Sequence, residues 1–191
     1  MLTIIVSDIF GRTAALEKLA LSISSNSFII DPYQGRKMNF ASEQCAYSQF
    51  TKSLGLNQYS KCLNELLLTV KQPIRLIGFS VGAAAIWNVS NQKFQAPYQL
   101  YEVKRAICFY GAQIRHNTNI QPAFPMELIF PKHENHFCLP KLIKTLSNTS
   151  QLSIRQVPYL HGFMNSHSIH FNKQAYESEI QLLNKENSHT K

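Results

Sequence analysis

The sequence lacks the features that would assign its 191 residues to a membrane, exported or multidomain protein. No apolar run approaches the length of a membrane span. The first such run, residues 2–6, is too short and has no basic flank for a secretion signal. No Gly/Ser-rich or Pro-rich linker divides the chain, and a hydrophobic content of 45% is enough to fill one core. We therefore expect one domain over residues 1–191, in a soluble, cytoplasmic protein.

Cysteine is scarce and is not arranged for metal binding. The four cysteines are far apart and form no C-x-x-C motif: Cys45, Cys62, Cys108 and Cys138. Cys62 and Cys108 fall on apolar stretches and are expected to be buried, reduced thiols. An alternative metal site would use the histidines His133, His136, His167 and His170. The first two are three residues apart, not four as in a helical zinc motif, so neither a metal nor an organic cofactor is expected.

Acidic residues are also few. The chain has 11 Asp and Glu against 19 Lys and Arg, which gives a formal net charge of +8. The basic residues are scattered, and they form no stripe and no patch interleaved with aromatic residues. Nucleic acid is therefore not an expected partner, and the positive charge indicates only a general preference for anionic partners or substrates.

What the sequence does contain is a Gly-x-Ser-x-Gly motif, Gly78-Phe79-Ser80-Val81-Gly82, between a short apolar run and a stretch of small residues. Strand, sharp turn and helix are the setting of a nucleophile elbow, which exposes the serine hydroxyl at the top of a parallel sheet. Gly78 and Gly82 are expected where any Cβ would strike the neighbouring strand or helix. The helix after Ser80 points its N-terminal amides at the serine oxygen and favours negative charge there. Because the motif alone also arises by chance, the rest of the site has to be found elsewhere in the chain.

Short apolar runs alternate with segments of helical periodicity along the chain. The runs predict six strands, at residues 2–6, 27–30, 74–79, 103–110, 126–130 and 152–157. Helical spacing predicts helices at 16–23, 62–70, after the elbow, 139–146 and 176–183, and residues 33–42 are expected to form a loop. This alternation predicts an α/β fold with a parallel, doubly wound sheet and helices on both faces. In such a sheet functional residues gather at the carboxyl ends of the strands.

A nucleophilic serine needs a base, and the base needs an orienting acid. In hydrolases with this elbow the chain order is serine, acid, histidine, and both aspartates of this chain precede Ser80. Of the glutamates considered, Glu102 and Glu127 precede or open their strands and so fall at the wrong end of the sheet. Glu134 follows the fifth strand and is the predicted acid.

The predicted base is His161, which follows the sixth strand in the segment His161-Gly162-Phe163. His136 is too close to Glu134 in the sequence to span the acid and the serine. The other downstream histidines are interpreted as ordinary surface, core or tail residues: His167, His170 and His189.

An oxyanion hole needs two backbone N–H groups. One is expected from Val81, directly after the nucleophile. The other is expected from Ile9, in the loop after the first strand, where Gly11 allows close approach. Asp8 would then lie near the serine, either as a local loop cap or as a group that tunes the environment of the nucleophile.

Four segments resemble the dienelactone hydrolase family of α/β-hydrolases. They are the loop Ser7-Asp8-Ile9-Phe10-Gly11, the elbow around Ser80, the end of the fourth strand from Phe109 to Arg115, and the histidine loop from His161. The resemblance implies a compact α/β-hydrolase fold that begins at the usual third strand and has its six strands in the order 2-1-3-4-5-6. Residues 111–125 are too few to form a lid domain.

The chain departs from this family in two respects. The family acid is usually aspartate, whereas here it is Glu134. Family members that act on dienelactone itself carry a cysteine nucleophile and arginines for the substrate carboxylate, whereas here the nucleophile is Ser80, so dienelactone is not the expected substrate. Candidate substrate-binding residues are Asp8, Phe10, Arg12, Arg36, Arg115 and Phe163. The three arginines can also be interpreted as solvated loop residues.

These residues predict a serine hydrolase that cleaves ester or thioester bonds of small to medium, potentially anionic, acyl substrates through a covalent acyl-enzyme. Arg115, His116 and Phe124 are expected to border an open site. The alternative is a non-catalytic binding or scaffold protein that retains the hydrolase fold. No oligomeric state is predicted.

Overall fold

The computed structural model describes residues 1–91 and 102–188, in which strands and helices alternate. The strands are β1 (Leu2–Val6), β2 (Ser27–Ile30), β3 (Ile74–Phe79), β4 (Val103–Phe109), β5 (Met126–Phe130) and β6 (Leu152–Gln156). The helices are α1 (Ala14–Ile23), α2 (Glu43–Ser53), α3 (Gly55–Thr69), α4 (Val81–Val89), α5 (Leu139–Leu146) and α6 (Lys173–Ser188), and a short 3-10 helix, Ala112–His116, follows β4. His189 lies outside the described residues.

The strands form one parallel sheet in the order β2-β1-β3-β4-β5-β6. The predicted fold class and strand order are therefore confirmed. The strands are short and apolar because the sheet is covered on both faces, and all six residues of the central strand β3 are buried.

Neighbouring residues of a strand pack into two different cores, as the alternation of side chains requires. Ile4 and Leu76 face the core formed with α2, α3, α4 and α5. Ile5 and Ile77 face the opposite core, which is formed with α1 and α6. Within residues 1–91 and 102–188, no helix is long and apolar enough to cross a membrane.

One helix was not predicted. Residues 43–53 form α2, which begins where the Ser42 hydroxyl accepts a hydrogen bond from the Cys45 N–H at 3.2 Å. Only Ala46 and Phe50 of this helix are buried, so its apolar face is too sparse to give a clear helical period. The predicted helix at 62–70 is also longer than expected, because α3 begins at Gly55.

The cysteines only partly follow the prediction. All four are free thiols, and Cys108 is buried in β4. The expectation that Cys62 is buried is wrong, because its side chain is partly exposed on α3. Cys45 and Cys138 are exposed.

Candidate active site

Ser80 lies between the end of β3 and the start of α4, in a strained backbone conformation with φ of 52° and ψ of −113°. Positive φ is costly for a residue with a Cβ and persists only where the surroundings impose it. Here the Ser80 N–H donates to the Phe109 carbonyl at 3.0 Å, and the Ser80 carbonyl accepts from the Ala84 N–H at 3.1 Å. The turn is therefore fixed from the sheet on one side and from the helix on the other.

The two glycines of the motif are required by close backbone contacts. A Cβ on Gly82 would lie 2.2 Å from the Val6 carbonyl oxygen, and a Cβ on Gly78 would lie 2.8 Å from the Ala83 nitrogen. The predicted role of both glycines is confirmed. The Gly82 contact also means that the start of α4 rests directly on the end of β1, which brings the loop after β1 next to Ser80.

The Ser80 hydroxyl, the His161 imidazole and the Glu134 carboxylate form one chain of hydrogen bonds. His161 Nε2 lies 3.1 Å from Ser80 Oγ, and His161 Nδ1 lies 2.8 Å from Glu134 Oε1. The tautomer with its proton on Nδ1 satisfies both bonds, since Nδ1–H then donates to the carboxylate and Nε2 accepts from the hydroxyl. The Glu134 side chain is only 9% exposed, whereas the His161 side chain keeps 28% of its surface open to solvent.

Each of these side chains comes from a loop at the carboxyl end of a different strand. Glu134 lies between β5 and α5, and His161 lies in the turn between β6 and α6. Gly162 next to it has φ of 86°, and a Cβ there would lie 2.6 Å from Ser168 Oγ, so the histidine turn depends on this glycine.

The aromatic ring of Tyr110 packs against the imidazole ring of His161. The two ring centroids are 4.8 Å apart, and Tyr110 is 1% exposed. Tyr110 directly follows β4, and its φ of 43° is again unusual for a residue with a side chain. Tyr110 lies in one of the segments that resemble the family, but the sequence alone predicts no role for it, because no spacing rule connects a residue after β4 to one after β6.

The loop after β1 is held by hydrogen bonds that do not use the Ile9 N–H. The Phe10 N–H donates to Asp8 Oδ1 at 2.9 Å, the Gly11 N–H donates to the Asp8 carbonyl at 3.1 Å, and the Tyr33 hydroxyl donates to the Ile9 carbonyl at 2.7 Å. No hydrogen bond to another described residue occupies the N–H of Ile9 or that of Val81. These are the two donors that the sequence analysis assigned to an oxyanion hole.

Asp8 is a local loop cap and also reaches a second loop. Its Oδ2 accepts a hydrogen bond from Asn165 Nδ2 at 2.8 Å. Some of the residue is exposed to solvent, but the carboxyl group itself is surrounded by protein atoms. Burial raises the pKa of this carboxyl to about 6, although the bonds from the Phe10 N–H and from Asn165 and the nearby His161 oppose that rise. Asn165 was not identified from the sequence.

The three arginines considered for an anionic substrate are each engaged by their own surroundings. Arg12 Nε lies 2.9 Å from Glu17 Oε1, and the exposed Arg36 donates to a backbone carbonyl of its own loop. Arg115 also donates to a nearby carbonyl, and its guanidinium carbon lies 4.9 Å from the centroid of the Phe137 ring. Phe137 belongs to the same loop as Glu134. Among the three arginines, Arg115 is therefore the one that contacts the loop carrying the predicted acid.

The prediction that Phe163 and Phe124 line the site is wrong. Phe163 is fully buried and packs 5.5 Å from Tyr110, centroid to centroid, so it supports the histidine turn and cannot contact a substrate. Phe124 is 3% exposed and belongs to the core on the α4 side of the sheet. Phe10 is partly exposed and His116 is exposed.

The rejected Glu127 has a different environment from Glu134. Its carboxylate lies 2.6 Å from Arg105 Nη2 and 3.1 Å from Arg155 Nε, in an ion-pair network that continues to Glu179. Across residues 1–91 and 102–188, no three or more His, Cys, Asp or Glu side chains form a group that could hold a metal ion.

Several solved structures share the overall fold of this chain. Est1E from Butyrivibrio proteoclasticus gives a TM-score of 0.61 at 8% identity, with 98% of this chain and 87% of Est1E covered. The thioesterase domain from the curacin biosynthetic pathway gives 0.58 at 11% identity, with 95% and 90% covered. A lipase-esterase related protein from Clostridium acetobutylicum ATCC 824 gives 0.58 at 12% identity, with 95% and 93% covered. Identity this low establishes the fold alone, and the chain has the α/β-hydrolase fold.

Sequence similarity identifies the family within that fold. YczH, an uncharacterized protein of Bacillus subtilis (strain 168), is 30% identical over 189 residues, which cover 95% of this chain and 90% of YczH. The chain belongs to the same family as YczH. No model of a protein family matches it.

Proposed function

We propose that the protein is a serine hydrolase, formed by one α/β-hydrolase domain, that cleaves carboxylic ester or thioester bonds. The observation that carries the proposal is the hydrogen-bonded chain in which His161 lies 3.1 Å from Ser80 Oγ and 2.8 Å from Glu134. The strained elbow at Ser80 adds support, because that conformation is costly and is characteristic of an exposed nucleophile.

In the proposed reaction, His161 Nε2 takes the hydroxyl proton as Ser80 Oγ attacks the acyl carbon. Glu134 holds the imidazole and stabilises the imidazolium that forms. The N–H groups of Ile9 and Val81 bind the oxyanion of the tetrahedral intermediate. His161 then gives its proton to the leaving alcohol or thiol, which leaves an acyl ester on Ser80.

The second half of the reaction regenerates the enzyme. A water molecule gives a proton to His161 and attacks the acyl carbon, and collapse of the intermediate returns the proton to Ser80 Oγ and releases the acid. None of these steps needs a cofactor.

Small to medium acyl groups are the proposed substrates. The connection between β4 and β5 contains only a short 3-10 helix, Ala112–His116, which supports a site without a lid domain. We further infer that the protein is a dienelactone hydrolase-like enzyme with a serine nucleophile. A series of esters of increasing acyl length tests the size preference, and faster turnover of long-chain than of short-chain esters would contradict it.

Labelling with a fluorophosphonate, read by intact mass, tests the nucleophile directly. Wild type should gain one adduct, Ser80→Ala should gain none, and His161→Ala should react at least 100-fold more slowly. His167→Ala is the matched control, because His167 is an exposed histidine of the same loop, and it should react like wild type. A folded wild type that gains no adduct would defeat the proposal and favour the non-catalytic binding protein, which partner capture would then examine.

A further inference from the structure

The loop after β1 and the loop after β6 follow strands that do not pair with each other. In the strand order β2-β1-β3-β4-β5-β6, three strands separate β1 from β6. At about 4.8 Å between neighbouring strands, the two strands are roughly 19 Å apart. The proposed hydrolase function nevertheless requires both loops at Ser80, since one carries the Ile9 N–H and the other carries His161. Something other than sheet hydrogen bonds has to fix their relative position.

The side chains of Asp8 and Asn165 bridge the two loops. The Asp8 carboxylate uses one oxygen inside its own loop, for the Phe10 N–H at 2.9 Å, and the other for Asn165 Nδ2 at 2.8 Å. Asn165 is anchored in the same manner, because its Oδ1 accepts from the His167 N–H at 2.9 Å and its N–H donates to the Gly162 carbonyl at 2.9 Å. Each partner is therefore tied to its own loop and to the opposite one.

The bridge is partly buried. A cavity of about 20 Å³ beside it is lined by Asp8 and Asn165 together with residues of α1 and the β3 end, including Leu16, Leu19 and Phe79. A hydrogen bond to an ionised carboxylate is stronger than a neutral one, and removal of either partner leaves a partly buried polar group unpaired.

We propose that Asp8 and Asn165 form a clasp that holds the oxyanion loop, residues 7–11, and the histidine loop, residues 161–168, in a fixed relative position. Asp8 and Asn165 are positioning residues in this proposal, and they act through the Ile9 N–H and through His161. The catalytic consequence rests on the proposed function, whereas the coupling of the two loops does not.

The other aspartate of the chain provides a matched control. Asp31 follows β2, and its two oxygens accept from the Tyr33 N–H at 2.8 Å and the Gly35 N–H at 2.9 Å, both within its own loop. Asp31→Asn therefore changes a loop cap of the same chemistry without changing a bridge between loops.

The test compares Asp8→Asn, Asn165→Asp and the exchanged pair that carries both substitutions. In Asp8→Asn, the amide N–H groups of positions 8 and 165 face each other, so no acceptor is left between them. In Asn165→Asp, the carboxylates of positions 8 and 165 face each other, so no donor is left. In the exchanged pair, the amide at position 8 can accept from the Phe10 N–H and donate to the carboxylate at position 165, which still accepts from the His167 N–H. Each single variant should react with the fluorophosphonate about tenfold more slowly than wild type, and the exchanged pair should recover to within about threefold.

Hydrogen exchange gives a second measurement that does not need activity. Asp8→Asn should speed amide exchange in residues 161–168, Asn165→Asp should speed it in residues 7–11, and the exchanged pair should restore both. Asp31→Asn should change neither loop and should keep the labelling rate within about twofold. Changes confined to the mutated loop, or an exchanged pair with no recovery in either measurement, would overturn the clasp. If wild type gains no adduct at all, the proposed function fails, and hydrogen exchange alone decides the clasp.

Discussion

The two ends of β5 place two glutamates, seven residues apart in the sequence, in opposite environments. Glu127, near the start of the strand, is held between Arg105 and Arg155. Glu134, beyond the end of the strand, contacts the imidazole of His161. A carboxylate between two guanidiniums has its charge fully neutralised by groups that stay charged at any working pH. A carboxylate on an imidazole is paired with a group whose charge can change during a reaction. The end of the strand at which each glutamate lies, and not its residue type, therefore sets its role.

Glu134→Gln is expected to have the largest effect on turnover. The amide cannot stabilise an imidazolium and favours the wrong tautomer of His161, so the rate of ester hydrolysis should fall by about 100-fold or more. The midpoint of thermal unfolding should change by only a few degrees. A turnover rate equal to wild type would show that Glu134 is not the acid and would remove the contrast between the two glutamates.

Gly82→Ala should damage the carboxyl end of the sheet through packing. The new Cβ would lie 2.2 Å from the Val6 carbonyl oxygen, so either the start of α4 or the end of β1 has to move. We expect a loss of about 3 kcal/mol in the free energy of unfolding, measured in urea, together with slower labelling of Ser80. Gly35→Ala is the control, because a Cβ there has open space and only the positive φ of 80° opposes it, at about 1 kcal/mol.

Glu127→Gln should give the reverse of Glu134→Gln. The substitution weakens two ion pairs at the amino end of β5, so the free energy of unfolding should fall by about 2 kcal/mol. The rate of ester hydrolysis should stay within about twofold of wild type, because the site lies at the other end of the strand. A tenfold loss of turnover in a folded Glu127→Gln protein would mean that the two ends are coupled.

The fourth prediction concerns Asp8 and the pH dependence of stability. Burial raises the pKa of its carboxyl from 3.8 to about 6, so between these two pH values the carboxyl is protonated in the folded protein and ionised in the unfolded chain. The contribution of Asp8 to stability is therefore fully present below about pH 4 and is lost as the pH rises to about 6. The difference in unfolding free energy between wild type and Asp8→Asn should fall over that range. Glu17, whose pKa is lowered by Lys37 and Arg12, contributes in the opposite direction, but it is present in both proteins and cancels in the difference. A difference that rises with pH would contradict the assignment to Asp8.

The strands were the most predictable part of the fold. A buried parallel strand is a short apolar run bounded by polar or turn residues, and β2 and β5 begin and end where those runs do. Helix α2 was missed because it buries only two residues and has no clear apolar face. Its start could have been found from Ser42, whose hydroxyl caps the helix.

The residues of the site also differ in how well the sequence predicts them. The elbow at Ser80 has a local pattern, since strand, glycines and small-residue helix are all adjacent in sequence. Glu134 and His161 could be chosen only by their place after a strand. Phe163 and Phe124 were misplaced because an aromatic residue in a loop has no local pattern that tells a core position from a site position.

The sequence by itself determined the strands, the helices other than α2, the elbow and the candidates at the carboxyl end of the sheet, because these follow from periodicity, turn chemistry and chain order. Only the tertiary structure decided that Tyr110 supports His161 and that Asp8 meets Asn165, 157 positions away in the chain. Such contacts depend on how loops from separate strands come together above the sheet. No pattern within one segment carries that information, because the partners share neither an element nor a fixed spacing.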